Sequence, residues 1–275
     1  MAEYTFGVVQ VAAEEVRTDK SYFFDNQHRP DGSGLVLQLT IEGAAFYRDN
    51  QGEHLVTQGN AMLFSHKEAT AYGYPPDATE PYHHQYIEFS DCQPLRTVFD
   101  KLMLDFGPIV SIPDNSTARG VFNEILERFR IGEFHDRYQE SELLFHLLIA
   151  TYREQIERTR GRDPIEFGYH YILNRFRYAA NLKQIAEACG VTREYFGREF
   201  KRRYRENPGS FLRSLRVEHA KSLLKTTSIP VEEIAAASGF TDANAFGRRF
   251  KQVFGISPGA FRERIRAQKQ NRRPI

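Results

Sequence analysis

A chain of 275 residues with 41% apolar and 13% aromatic residues is long enough for two modest packed domains, and its longest apolar-rich run, 143–150, is too short to span a membrane. Two distant cysteines, Cys92 and Cys189, lack metal-type spacing and give no disulfide framework; with Glu3 early in the chain and no long apolar stretch behind it, a cytoplasmic protein without a secretory leader is expected. The net charge of +1 conceals a division: 23 basic and 11 acidic residues from Arg162 onward (+12) against 14 basic and 25 acidic before it (−11), which marks the C-terminal region as a candidate polyanion binder.

Residues 1 to about 112 read as short strands separated by turns. LVLQLTIEG (35–43) is apolar and β-branched and stops at a glycine. Residues 44–65 read as a hairpin around 49–52, a turn at 58–60 and a further strand, and HHQYIEFS (83–90) alternates as strands do. The spacing predicts a small β-barrel or sandwich. The period then changes. Asn115 or Ser116 caps a helix at about 116–131, and a second helix follows at 137–160 with Leu143, Leu144, Leu147, Leu148 and Thr151 on one face. RTRGRDP (158–164) reads as a linker or hinge, placed at 158–166. Beyond it the chain reads as wholly helical, with helices at 165–177, 182–188, 192–204, 208–225, 231–237, 242–254 and 258–268.

Inside this helical region the same phrase is written twice. GVTREYFGREFK (190–201) returns as GFTDANAFGRRFK (239–251), at an offset of 49 up to the glycine and 50 from Phe246, with one residue added between. Each copy reads as a short helix, a glycine turn and a second helix, over 182–204 and 231–254. Gly190 suits the positive φ that ends a helix, and Thr192 the N-cap of the next. Phe196 and Phe200 lie four apart on a buried face. The opposite face carries Glu194, Gly197, Arg198 and Lys201 in the first copy, and Asn244, Gly247, Arg248 and Lys251 in the second. Arginine for guanine, asparagine for adenine, glutamate for cytosine and lysine for phosphate are the side chains of a major-groove reader. A single such face is also what any solvated helix shows; two, in a +12 segment, point to double-stranded DNA.

The C-terminal hundred residues resemble the DNA-binding domain of the AraC family of bacterial transcription regulators. IAAASGFTDANAFGRRFKQVFGISPGAFR (234–262) carries the signature, IAEACGVTREYFGREFK its looser partner, and RSLRVEHAKSLLKTT (213–227) the helix between them. The resemblance implies an α+β two-domain protein: a cupin-like barrel with two helices over 1–160, then an all-α double helix-turn-helix domain over 165–275. It implies base contacts from Glu194, Gly197, Arg198, Ala243, Asn244, Gly247 and Arg248. Phosphate contacts fall to Thr192, Lys201, Arg202, Thr241 and Lys251. Arg203, Arg205, Arg213 and Arg249 serve either phosphate contact or solvation, and Arg264, Arg266, Lys269, Arg272 and Arg273 form a basic tail. Gly197 and Gly247 stand where family members often carry a base-reading side chain.

The first half is expected to bind a small effector, with a carbohydrate as the first choice and an aromatic acid as the second. Tyr47, His66, Tyr72, Tyr74, His83, His84, Tyr86 and Glu88 are the expected contacts, with Tyr82 and Arg48 nearby; aromatic faces stack on sugar rings and the polar groups bond hydroxyls. A metal-dependent cupin enzyme acting on a sugar is the rival. His83 and His84 are adjacent, so their side chains leave a strand on opposite faces, and no His-x-His pair is present. No metal, cofactor or catalysis is therefore expected. The helix stripe at 143–151 packs on the barrel or pairs two copies into a homodimer, the latter preferred. The whole reads as a ligand-responsive regulator of promoter DNA, an activator meeting RNA polymerase and nucleoid-associated when bound.

Overall fold

The computed structural model describes residues 6–29, 34–178 and 181–270. The outer ends of both expected domains, with Arg272 and Arg273 of the basic tail, lie outside the described residues. The chain forms two compact units, Met1–Gln155 and Ile156–Ile275.

Among the described residues the first unit holds nine strands: β1 (Val9–Arg17), β2 (Phe23–Asp25), β3 (Gly34–Glu42), β4 (Ala44–Asp49), β5 (Gly52–Thr57), β6 (Asn60–Ser65), β7 (Ala71–Gly73), β8 (Tyr82–Ser90) and β9 (Ile109–Ser111). They pair antiparallel into one sheet ordered β1-β8-β3-β6-β9 and another ordered β2-β7-β4-β5. Helices α1 (Gln93–Phe106) and α2 (Thr117–Ile131) belong to it, as does α3 (Arg137–Arg162) up to Gln155. The five-stranded sheet is covered on both faces. Leu35, Leu37 and Leu39 of β3, with Leu63, Ile87 and Phe89, pack against Leu95 and Phe99 of α1, Phe122 and Ile125 of α2, and α3. The alternate residues Val36, Met62, Phe64 and Tyr82 face the other sheet, where they meet Tyr47, Val56, Tyr72 and Tyr74. That double burial is why β3 reads as a nearly continuous apolar run.

Two expectations are corrected here. Gln93–Phe106 is helical within the stretch read as strands; Pro94 sits in its first turn and Leu95, Phe99 and Leu102 recur at helical spacing. The stripe Leu143, Leu144, Leu147, Leu148 and Thr151 is buried against the protein's own sheet and helices, and the Thr151 hydroxyl donates to the Leu147 carbonyl at 2.8 Å. That face is not available to a second chain.

The segment read as a linker is also helical for most of its length. α3 continues through Gly161 to Arg162, and the break is one residue, Asp163. Pro164 opens α4 (Pro164–Arg175), and the Asp163 carboxylate caps it by accepting from the Ile165 and Glu166 amides at 3.2 and 3.0 Å. The same carboxylate pairs with Arg203, and Glu166 pairs with Arg203 at 2.8 Å and accepts from the Tyr204 hydroxyl at 2.7 Å. The His170 hydrogen bond, then Tyr204 and Arg203, outweigh burial and bring the Glu166 carboxyl down to about 2.

The second unit continues with α5 (Leu182–Ala188), α6 (Arg193–Tyr204), α7 (Pro208–Thr226), α8 (Val231–Ala237), α9 (Ala243–Phe254) and α10 (Pro258–Gln270). The internal duplication reaches further than the repeated phrase. Phe200 packs against Tyr204 and Phe211 at ring distances of 4.7 and 5.7 Å. Fifty residues on, Phe250 packs against Phe254 and Phe261 at 4.6 and 5.5 Å. Pro208 and Pro258 open α7 and α10 at the same offset. α7 touches α4, α6, α8, α9 and α10.

Gly168 of α4 lets Phe196 of α6 approach: a Cβ there would lie 2.2 Å from Phe196 Cε2 and 2.9 Å from Cys189 Sγ. Gly168→Ala should therefore destabilise the chain by about 1–3 kcal/mol through overpacking, despite alanine's better helix propensity, as read from urea denaturation.

Candidate nucleic-acid interface and barrel interior

Each repeated unit is built around two buried pairs. Ile185–Ala186 and Phe196–Phe200 close the first, and Ile234–Ala235 and Phe246–Phe250 the second. The small Ala186 and Ala235 let the helices cross closely. Gly190 and Gly239 take φ of +71° and +85° in the turns, values that favour glycine. Thr192 caps α6, its hydroxyl oxygen accepting from the Tyr195 amide at 3.2 Å, which leaves its own proton to donate outward. The added residue in the second turn hands this role to Asp242, which accepts from the Asn244 and Ala245 amides, and leaves Thr241 exposed.

With the phenylalanines fixed inward, the other face of each helix is in solvent. Glu194, Arg198, Lys201 and Arg202 on α6, and Ala243, Asn244, Arg248 and Lys251 on α9, are exposed, as is Thr192; the Arg198 and Arg248 side chains are 68% and 76% exposed. Gly197 and Gly247 lie in the middle of these faces, and a Cβ at either would meet nothing within 4 Å. No packing among the described residues calls for glycine there. Arg203 is set apart, because its guanidinium is held by Asp163 and Glu166.

The other expected site lies between the two sheets, and the structure sorts its residues. His84 is buried, with its ring stacked on Tyr82 at 4.6 Å and its Nε2 3.1 Å from the Tyr22 hydroxyl. Gln38 donates to the Tyr22 and Tyr82 hydroxyl oxygens, both at 3.0 Å. The Tyr22 hydroxyl thus bridges Gln38 and His84, and the direction of its bond to Nε2 follows the imidazole tautomer. Tyr86 and Glu88 follow His84 on the same face of β8, and His66 stands 3.5 Å from Glu88. Tyr72 accepts from Arg29 at 2.9 Å. His83 does not join them: it leaves β8 on the opposite face and meets Glu14 at 2.6 Å. Tyr47 is buried in the core, and the Tyr74 hydroxyl is committed to the Glu80 carbonyl at 2.8 Å. Arg48 pairs with Glu53 across the β4–β5 hairpin.

Several participants do not stand out in the sequence. Glu15 and Arg17 pair with each other, and Arg17 lies 5.1 Å over the Tyr22 ring, while Glu15 comes within 3.7 Å of His84. Arg29 lies 4.6 Å over Phe24, which stacks on Tyr72 at 5.3 Å. The available signal is the alternation along β1: Glu15 and Arg17 fall opposite His84 and Tyr82 in register. The result is a buried floor of Tyr22, Gln38, Tyr72 and His84 with a half-buried rim of Glu15, Arg17, Phe24, Arg29, Tyr86 and Glu88. Aromatic faces next to paired carboxylates and guanidinium groups suit a small polar molecule with both donors and acceptors.

Residues 8–148 match the AraC-like ligand binding domain family, and residues 185–264 match a helix-turn-helix domain family. Over 236 residues, 80% of each chain, the protein is 27% identical to the arabinose operon regulatory protein of Salmonella typhimurium. Over 88 residues, 32% of this chain, it is 33% identical to the uncharacterized HTH-type transcriptional regulator YijO of Escherichia coli K12, a match spanning only 31% of that relative. Among solved structures it is similar to the DNA-binding domain of AdpA in complex with a target DNA, at 28% identity and a TM-score of 0.37, covering 39% of this chain and 97% of that one. Among the described residues, no helix is long and apolar enough to cross a membrane.

Burial first, then Arg17 and His83, depress the His84 pKa from 6.5 to about 3, so the folded chain keeps this imidazole neutral. Unfolding exposes a group that binds a proton below about pH 6.5, so the unfolded state holds more protons between about pH 6.5 and 3. Stability should therefore fall as pH falls through that window, with a limiting slope of about 1.4 kcal/mol per pH unit from this group. His84→Gln should flatten the dependence of the urea midpoint on pH, whatever its effect on stability at neutral pH.

Proposed function

The chain belongs to the AraC family of transcription regulators, joining a ligand-binding unit to a DNA-binding unit, and from that premise we propose an activator that presents two recognition helices to successive major grooves of a promoter under control of a small effector. The observation that carries this reading is the pair of exposed, similarly composed faces on α6 and α9, each turned outward by a buried phenylalanine pair within a segment of net charge +12.

Base contacts are assigned to Glu194, Arg198, Asn244 and Arg248, with Gly197, Ala243 and Gly247 allowing close approach. Thr192, Lys201, Thr241 and Lys251 contact phosphates, while Arg202, paired with Glu199 at 2.7 Å, is held back from them. The effector sits among Tyr22, Tyr72, His84, Tyr86 and Glu88 and the rim arginines. The alternation of carboxylates with guanidinium groups and phenol hydroxyls favours a neutral polyhydroxylated molecule such as a sugar. Its binding favours one arrangement of the chain over another, since only differential affinity shifts an equilibrium. Activation requires contact with RNA polymerase. A homodimer uses a surface other than the Leu143–Thr151 stripe.

Arg198→Ala and Arg248→Ala should each cost about 1–3 kcal/mol on a selected site and relax preference at different base positions one turn apart, whereas Lys201→Ala should weaken all sequences alike and lower the salt slope by about one. Quantitative footprinting at several salt concentrations reads both; variants that protect and discriminate like the parent would sink the assignment. For the effector, a thermal-shift screen over sugars and aromatic acids should yield a stabilising sugar whose effect disappears in Tyr86→Ala. If only aromatic acids stabilise the chain, the carbohydrate assignment is wrong.

A further inference from the structure

The two recognition helices carry the same arginine in different settings. On α6, Arg198 donates through Nε to Glu199 at 3.0 Å, and its guanidinium lies 5.5 Å over the Tyr195 ring. Its two terminal nitrogens have no hydrogen-bond partner among the described residues. The other carboxylate oxygen of Glu199 holds Arg202 Nη2 at 2.7 Å. Glu199 is itself half-buried, and Arg198 and Arg202 hold its carboxyl below the usual range.

On α9 the offset of 50 places Ala245, Arg249 and Gln252 where α6 has Tyr195, Glu199 and Arg202. Among the described residues no carboxylate grips Arg248 through Nε. Its acidic neighbour is Asp242, 3.9 Å from a terminal nitrogen, and Arg249 donates to Gln252 at 2.8 Å.

The difference matters because an arginine reads guanine with two parallel N–H bonds. A partner on Nε fixes the guanidinium plane and leaves the Nη1–Nη2 edge open as a fork. A partner on a terminal nitrogen competes for that edge. A preset fork also loses less side-chain freedom on meeting a base than a loose one.

We propose that Glu199 is a positioning residue that makes α6 the stringent reader of the pair. It holds Arg198 ready for a guanine and withholds Arg202 from the phosphates, while α9 supplies a more tolerant grip. The proposal rests on the DNA-binding reading of these two faces.

The test uses the full chain. The parent selects its preferred duplex from a randomised library. Affinities for that duplex, and for single-base variants under each helix, are then measured against salt for the parent, Glu199→Ala and Glu199→Gln. Glu199→Ala should lower discrimination under α6 by roughly 5–10-fold, leave it unchanged under α9, and steepen the salt slope by about one as Arg202 is released. Glu199→Gln keeps an acceptor for Arg198 Nε, so it should restore most of the discrimination while keeping the steeper slope. A merely structural role would weaken all duplexes alike. Discrimination that falls equally under both helices, or under neither, overturns the assignment of Glu199. A parent that selects no sequence overturns the DNA-binding reading, and the proposal with it.

Discussion

The rotational setting of two helices governs what the C-terminal unit can do. Phe196 and Phe200, and Phe246 and Phe250, are buried at i, i+4 spacing, and each pair pins one face of its helix to the interior. Turning either helix by a single residue, about 100°, would carry an arginine toward the core and a phenylalanine toward water. Burial of those rings stabilises each by a few kcal/mol, on the order of 1.5–3 for a large apolar side chain, far more than an exposed ion pair contributes. Packing therefore decides which residues face a ligand, and the charged residues follow.

A second constraint joins the two units of the repeat. Arg216 of α7 donates to the Phe176 and Tyr178 carbonyls at 2.6 and 3.0 Å, so it caps the end of α4 from the middle of the connecting helix. Gly239, in the second turn, has its missing Cβ aimed at the same place, 2.6 Å from the Phe176 oxygen and 2.8 Å from Arg216 Nε. Any side chain there would force this joint open as well as strain the backbone. Nearby, His219 of α7 meets the buried Ser238 hydroxyl at 3.1 Å. The turn before the second recognition helix is thus seated on the connecting helix.

The C-terminal helices were legible because several independent signals agree there. Period, turn glycines, caps and a duplicated phrase all place the same elements, and Thr192 and Gly190 have the local roles their identities suggest. The barrel interior was less legible because its residues come from strands far apart in sequence. Tyr22, Arg29 and Gln38 look unremarkable in their own segments and acquire meaning only through pairing across the sheets. His83 and His84 illustrate the limit: the alternation rule predicts that they part, but not which one turns inward. The leucines of α3 were ambiguous for a different reason, since an apolar stripe shows that something covers it without saying whether that is the same chain. α1 was missed because the run of strands before it and the short strand β9 after it masked its change of period.

The equivalence of α10 with α7 gives the repeat its boundary. Each helix-turn-helix is closed by a third helix that starts at Pro208 or Pro258 and inserts Phe211 or Phe261 against the recognition helix. α7 closes the first trio and is at the same time the wall on which α8 and α9 are built. The halves are therefore conjoined rather than strung together: neither has a hydrophobic interior that survives removal of the shared beam. Damage to that beam would reach the exposed faces of α6 and α9 alike, because both helices lean on it.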